Sequence, residues 1–256
     1  MSAVRPASST QRRVSHVMGM PISLALRGRH ADDEHGEDAW QQALQSLDET
    51  DRIFSTYRAD SAISRLDRGE LAVADCPAVV HEVLELAERA RHESGGAFDV
   101  RRPGPGGRRV LDPSGVVKGW AVERAARSLE RLPATDFCLS AGGDMVCRTR
   151  LAGSPAWQIG IEDPFDPRRV VAVVPIRDGA IATSGLQHRG AHIVDARTGT
   201  TPTRLASVTV VAADLVAADI DATAAFALGD EGLSWLRRRP GRCGLVIGAD
   251  GSQHVF

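Results

Sequence analysis

Hydrophobic positions recur along this chain in two rhythms, a helical one in the first half and an alternating one in the second. Met20 to Leu26 alternates as a strand, and a polar His/Asp/Glu/Gly stretch follows. From Asp38 to Thr56, Trp40, Ala43, Leu44, Leu47 and Phe54 fall on one face of an amphipathic helix. Asp60 is placed to cap a short second helix carrying Ile63 and Leu66. Pro77 opens another helix, in which Val80, Val83, Leu84, Ala87 and Ala90 share a face until Gly95 and Gly96 stop it. A further helix is expected after Gly119, burying Ala121, Ala125 and Leu129.

Beyond Pro133 the period changes to two. The runs FCLSAGGDM, AWQIGIED, VVAVVPI, AIATSG, AHIVD and SVTVVA read as short strands with turns between Phe137 and Val211. A last helix, Ala218 to Arg238, leads into a hairpin of GLVIGA and SQHVF around Asp250 and Gly251. Helices first and mostly antiparallel strands later predict an α+β fold rather than a doubly wound parallel sheet. Arg101 to Arg109, RRPGPGGRR, is the one expected irregular loop.

Composition adds limits. The 256 residues are 43% hydrophobic and 25% charged, the profile of a globular chain, and 31 basic against 33 acidic residues leave no field to draw it onto nucleic acid or an anionic membrane. The four cysteines have no CxxC spacing, so neither a thiolate metal site nor a disulfide framework is indicated. Residues 1–17 lack an apolar signal core and are expected to be disordered, and no segment approaches the roughly 20 apolar residues of a membrane span. The expectation is a cytoplasmic protein with one folded unit, residues 18–256, acting on a small molecule or a protein.

Asn is absent, and Lys occurs once among many Arg, at Lys118. An ammonium is a compact point charge that the planar guanidinium does not reproduce, which singles this residue out. It stands in LDPSGVVKGW with Asp112, just before the expected helix, where backbone N–H groups and the ammonium could converge on a phosphate or a flavin oxygen. A plain capped helix with both charges in solvent is the alternative. Asp219 and Thr223, four apart, share one helical face and make a partial hard-oxygen site for Mg2+, while Asp221 points elsewhere. Asp219 could equally serve the helix dipole. Gly95-Gly96 and Gly142-Gly143 allow close backbone approach to a flat or anionic ligand, or simply turn the chain. His192 is either a structural histidine or a base.

In their order, VMGM, FSTYRADSAISRL, ESGGAFD, LDPSGVVKGWAVERA, SAGGDM, WQIGIEDP, ATSG, HIVDARTG and ADIDATAAFALG resemble the FAD:protein FMN transferase (ApbE) family over about nine-tenths of the chain. The resemblance implies a T-fold-related α+β architecture and a Mg2+-dependent enzyme. Such an enzyme cleaves FAD, attaches FMN through a phosphoester to a Thr or Ser of an acceptor protein and releases AMP. It also implies that Met18, Tyr57, Ala97, Phe98, Asp99, Asp112, Lys118, His192 and Ile193 contact FAD. Gly115 through its carbonyl, Asp219 and Thr223 would bind the Mg2+; Lys118 would neutralise phosphate charge and His192, or else Asp99, would act as general base.

The chain departs from the family pattern at several points. Only 12 residues separate Asp99 from Asp112, where many members carry a longer insert, and that segment holds Arg101, Arg102, Arg108 and Arg109. Ser140 replaces the usual Asn, Ala196 a Pro, and Ala222 an acidic residue used by some relatives. These departures keep open FAD hydrolysis to FMN and AMP, or binding of FAD without turnover.

Overall fold

The computed structural model describes residues 10–103, 105–186 and 193–256. The chain begins with β1 (Gln11–Val17) and β2 (Met20–Gly28), an antiparallel pair in register from Gln11–Leu26 to Val17–Met20. This corrects the expectation of disorder through residue 17. The polar RRVSH run has little drive of its own to become a strand, and pairing with the buried β2 supplies its backbone hydrogen bonds.

Three helices follow: α1 (Glu34–Phe54), α2 (Ala62–Asp67) and α3 (Ala78–Glu93). α1 starts four residues before its expected apolar stripe, because the Asp33 carboxylate accepts from Gly36 N–H and caps the first turn. α2 is capped by Ser61, which accepts from Ser64 N–H, and not by Asp60. A short ribbon comes next, β3 (Arg101–Pro103) paired with β4 (Arg109–Leu111), where an irregular loop is expected. Its arginines account for the difference: Arg102 pairs with Asp112, Arg108 with Asp67 and Arg109 with Asp99, and these ties hold the two ends together.

α4 (Ser114–Glu130) starts before Gly119, just after Pro113, so Lys118 lies in its second turn rather than ahead of it. The fixed φ of proline and the Asp112 carboxylate, which accepts from Ser114 N–H at 3.2 Å, favour this earlier start. The strands β5 (Thr135–Ala141), β6 (Asp144–Arg148), β7 (Trp157–Asp163), β8 (Asp166–Ile176), β9 (Gly179–Gly185) and β10 (Leu205–Ala212) follow. In place of the long last helix stand α5 (Leu215–Leu228) and the short α6 (Gly232–Leu236), divided at Gly229, whose φ of 59° lies in the left-handed region. β11 (Cys243–Gly248) and β12 (Gln253–Val255) close the chain as the expected hairpin. The AHIVD run is only partly described; from Ile193 on it makes a single bridge, Asp195 to Thr200, and no strand.

The main sheet has eight strands in the order β1-β2-β5-β6-β9-β10-β11-β12, with every neighbouring pair antiparallel. One of its faces carries the helices. Ile22, Leu24 and Leu139 pack there against Trp40, Leu47, Trp120, Ala121 and Leu129, and Phe54 meets Trp120 edge-on with ring centres 5.7 Å apart. The other face is covered by the two-stranded ribbon β7–β8, whose inward residues Trp157, Ile159 and Ile161 pack on Ala25, Cys138, Cys147 and Ile181. No helix among the described residues is long and apolar enough to cross a membrane.

Candidate active site

A cavity of about 250 Å³ opens where α4, α5, the β5–β6 turn and the end of β9 meet beneath β7. Lys118 lines it, 21% exposed at the side chain, with its Nζ 2.5 Å from Asp144 Oδ2 and 3.3 Å from Asp219 Oδ1. Three elements far apart in sequence therefore present their charges to one point.

Gly119 brings α4 onto α5. A Cβ built at this position would lie 2.7 Å from the Leu215 carbonyl oxygen and 2.8 Å from Asp219 Cβ, so only glycine lets the two helices come this close. Its N–H donates to Asp219 Oδ2 at 2.9 Å. In a regular helix that N–H serves the carbonyl four residues earlier, here Gly115, which also lines the cavity. Sharing the donor leaves the Gly115 oxygen with lone-pair capacity for another partner. One helical turn on, Glu123 holds the same pair of helices together by accepting from Leu215 N–H at 2.7 Å and from Arg148 at 2.7 Å.

Asp144 is aimed by a turn. Ala141 and Asp144 pair across Gly142 and Gly143, whose φ values of 57° and 98° give the two-residue hairpin that suits two glycines. Its Oδ1 accepts from Thr183 N–H in β9 at 3.1 Å, fixing the carboxylate so that Oδ2 meets the ammonium. On α5, Thr223 shares the inward face with Asp219 and exchanges a hydrogen bond with Ser184 across 3.0 Å. Asp221 points away, as its position on the helix implies, and is buried between Arg239 and Arg242.

Burial opposes a charge on Lys118, but the Asp219 and Asp144 carboxylates outweigh it and hold the ammonium's pKa above the ordinary lysine value. For Asp219 the balance is reversed. Burial dominates and Asp144 adds repulsion, so its carboxyl is raised to about 6 despite Lys118 and the Gly119 N–H. Within the cluster of Lys118, Asp144 and Asp219, two carboxylates face one ammonium, which leaves it one positive charge short. Hard oxygen donors from Asp219, Thr223 and Gly115 beside an uncompensated negative charge fit a divalent cation of the Mg2+ type.

Phe98, Asp99, Asp112 and Ile193 also line the cavity. Asp99 accepts from Arg101 N–H at 2.7 Å and Arg109 at 2.8 Å, and Asp112 is held by Arg102 at 2.6 Å. Met18, Tyr57 and Ala97 are not among the lining residues; Tyr57 is 98% exposed and Ala97 is packed in the core beside Ile193 and Phe226. His192 lies outside the described residues. The sequence by itself does not single out Asp144 or Ser184 as site residues. A lone carboxylate after a Gly-Gly turn carries no periodic signal, and its value comes from strand order.

Comparison with known proteins places this geometry. The fold matches the crystal structure of the ApbE protein of Thermotoga maritima with a TM-score of 0.82 and 19% identity, covering 96% of this chain and 97% of that one. It matches the apo flavinyl transferase ApbE of Pseudomonas stutzeri with a TM-score of 0.81 and 22% identity, over 100% and 97% of the two chains. In sequence it is 33% identical over 132 residues to a Haemophilus influenzae protein named FAD:protein FMN transferase, covering 47% of this chain but only 38% of that relative's length. A Klebsiella pneumoniae protein of the same name is 26% identical, over 96% of this chain and 86% of its own length. The ApbE family model matches residues 18–103 and 101–247, so the chain belongs to the ApbE family.

Proposed function

We propose that this protein is a Mg2+-dependent FAD:protein FMN transferase that attaches FMN through a phosphoester to a Thr or Ser of an acceptor protein and releases AMP. The observation that carries the reading is the meeting of Lys118, Asp219 and Thr223 in one cavity, from stretches about 100 residues apart. The names of the relatives point the same way.

In the proposed reaction the acceptor hydroxyl oxygen bonds to the FMN-side phosphorus of FAD, the bridging P–O bond breaks, and AMP leaves with the bridging oxygen. A Mg2+ held by Asp219, Thr223 and the Gly115 carbonyl would supply charge neutralisation for the diphosphate. Lys118, kept charged by its two carboxylates, adds a fixed positive group beside the phosphates. Asp144 orients that ammonium and is not free to take part otherwise. Phe98 and Ile193 offer apolar walls for the flavin, and Asp112 with Arg102 closes the cavity on the α4 side. Met18, Tyr57 and Ala97 remain proposed flavin contacts from the family resemblance alone.

The acceptor's proton must go to a base. Both oxygens of Asp99 are engaged, by Arg101 N–H and by Arg109, which suits it to anchoring the β3–β4 ribbon. The role is therefore assigned to His192, whose imidazole accepts protons in the neutral range.

The test is to incubate the protein with FAD, Mg2+ and a Thr-containing acceptor, and to follow flavin fluorescence on the denatured acceptor together with AMP release. Wild type should transfer, while Asp219→Ala and His192→Ala should each lose at least about a hundredfold. Full transfer by both variants would end the assignment, and free FMN with AMP in place of labelled acceptor would mark a hydrolase.

A further inference from the structure

The segment between β2 and α1 brings two imidazoles and a carboxylate together. His30 Nδ1 lies 2.8 Å from Asp33 Oδ2, His35 Nδ1 lies 3.9 Å from the same oxygen, and ligand atoms of all three residues fall within 4.8 Å of one another. None of the three lines the cavity. We propose that His30, Asp33 and His35 form a second binding site, for a divalent transition metal of the Zn2+ class.

Distances support the fit. Zn2+ bound to nitrogen and oxygen at about 2.1 Å in a tetrahedron sets its ligand atoms about 3.4 Å apart. The observed 2.8 and 3.9 Å bracket that value and the third separation is at most 4.8 Å, so side-chain shifts of about 1 Å would admit the ion. Imidazole and carboxylate suit Zn2+, Co2+, Ni2+ or Cu2+, whereas Mg2+ prefers an all-oxygen shell.

The site is also held in place before any metal arrives. Asp33 Oδ1 caps α1 by accepting from Gly36 N–H at 3.0 Å, which leaves Oδ2 turned toward the imidazoles. His30 is buried, and its backbone N–H donates to Thr135 Oγ1 at 3.2 Å. Its carbonyl packs directly on α1, where a Cβ at residue 36 would sit only 2.0 Å away, so only glycine there lets the loop lie this close to the helix. His35 is 74% exposed at the side chain, leaving an open face for one or more waters. The positive end of α1 opposes a cation here, but Glu34 and Glu37 in its first turn and Asp32 beside the cap offset it.

The experiment uses the full chain without a histidine tag, stripped with chelator and titrated with Co2+, reading the visible ligand-field band and the bound stoichiometry. The proposal expects the ligand-field band and one equivalent of Co2+ to persist in Asp219→Ala, any further equivalent taken up by wild type in the cavity being lost there, which separates this site from the cavity. His35→Ala, and Asp33→Asn, which keeps a capping side chain, should each weaken binding at least about tenfold with unchanged far-ultraviolet circular dichroism. Binding as tight as wild type in either variant, or a band lost in Asp219→Ala, would overturn it, as would no band at all.

Discussion

Gly119→Ala isolates the approach of α4 to α5 from the chemistry of the charged groups. The added Cβ would sit 2.7 Å from the Leu215 carbonyl oxygen and 2.8 Å from Asp219 Cβ, where ordinary contact begins at 3.4 Å. α5 must therefore recede by about 0.7 Å at this point, carrying Asp219 with it. Two energies oppose each other. Overpacking costs about 1–3 kcal/mol, and alanine regains about 1 kcal/mol of helix propensity over glycine. The net loss, about 0–2 kcal/mol, corresponds to a melting point lower by no more than about 8 °C in a chain of this size. Activity should suffer more, because a displacement near 1 Å at a reacting centre can cost about a hundredfold. The expectation is a protein still folded at 25 °C whose rate of AMP release falls at least about tenfold, measured by initial rates beside a thermal melt. A variant as active as wild type would show that the contact of Gly119 with Asp219 does not position the site.

Three further outcomes follow from the charges. Asp219 has its folded pKa raised to about 6 from 3.8, so its contribution to stability is full below about pH 3.8 and is lost as pH rises through 6; the metal-free protein should lose melting temperature across that window, Mg2+ should restore it at neutral pH, and Asp219→Asn should lack both effects. A melting curve of Asp219→Asn that keeps the same pH and Mg2+ response would refute this. Asp144→Asn removes one of two carboxylates from Lys118 and should lower transfer by about ten- to a hundredfold at saturating FAD, with the fold kept; unchanged kcat would count against its orienting role. Asp221→Ala leaves Arg239 and Arg242 without their shared carboxylate and should destabilise by about 3 kcal/mol in urea titration, whereas a midpoint equal to wild type would mean the trio is not structural.

Much of this protein is decided locally. The alternation of β7, the apolar stripe of α1 and α3, and the four-residue spacing of Asp219 and Thr223 are properties of short segments, because side-chain direction repeats every 2 or 3.6 residues whatever the partners. The solitary Lys118 stands out on composition alone. Other features have no local signature. β1 is a strand because β2 offers its edge, and the arginine-rich stretch after Asp99 is a ribbon because Asp67, Asp99 and Asp112 wait for its cations. Asp144 becomes a site residue through the placing of β6 beside β9, and Gly119 acquires its importance only once α5 lies across it. Charge balance in the cavity is set the same way, since burial and the distances among Lys118, Asp144 and Asp219 exist only in the assembled fold.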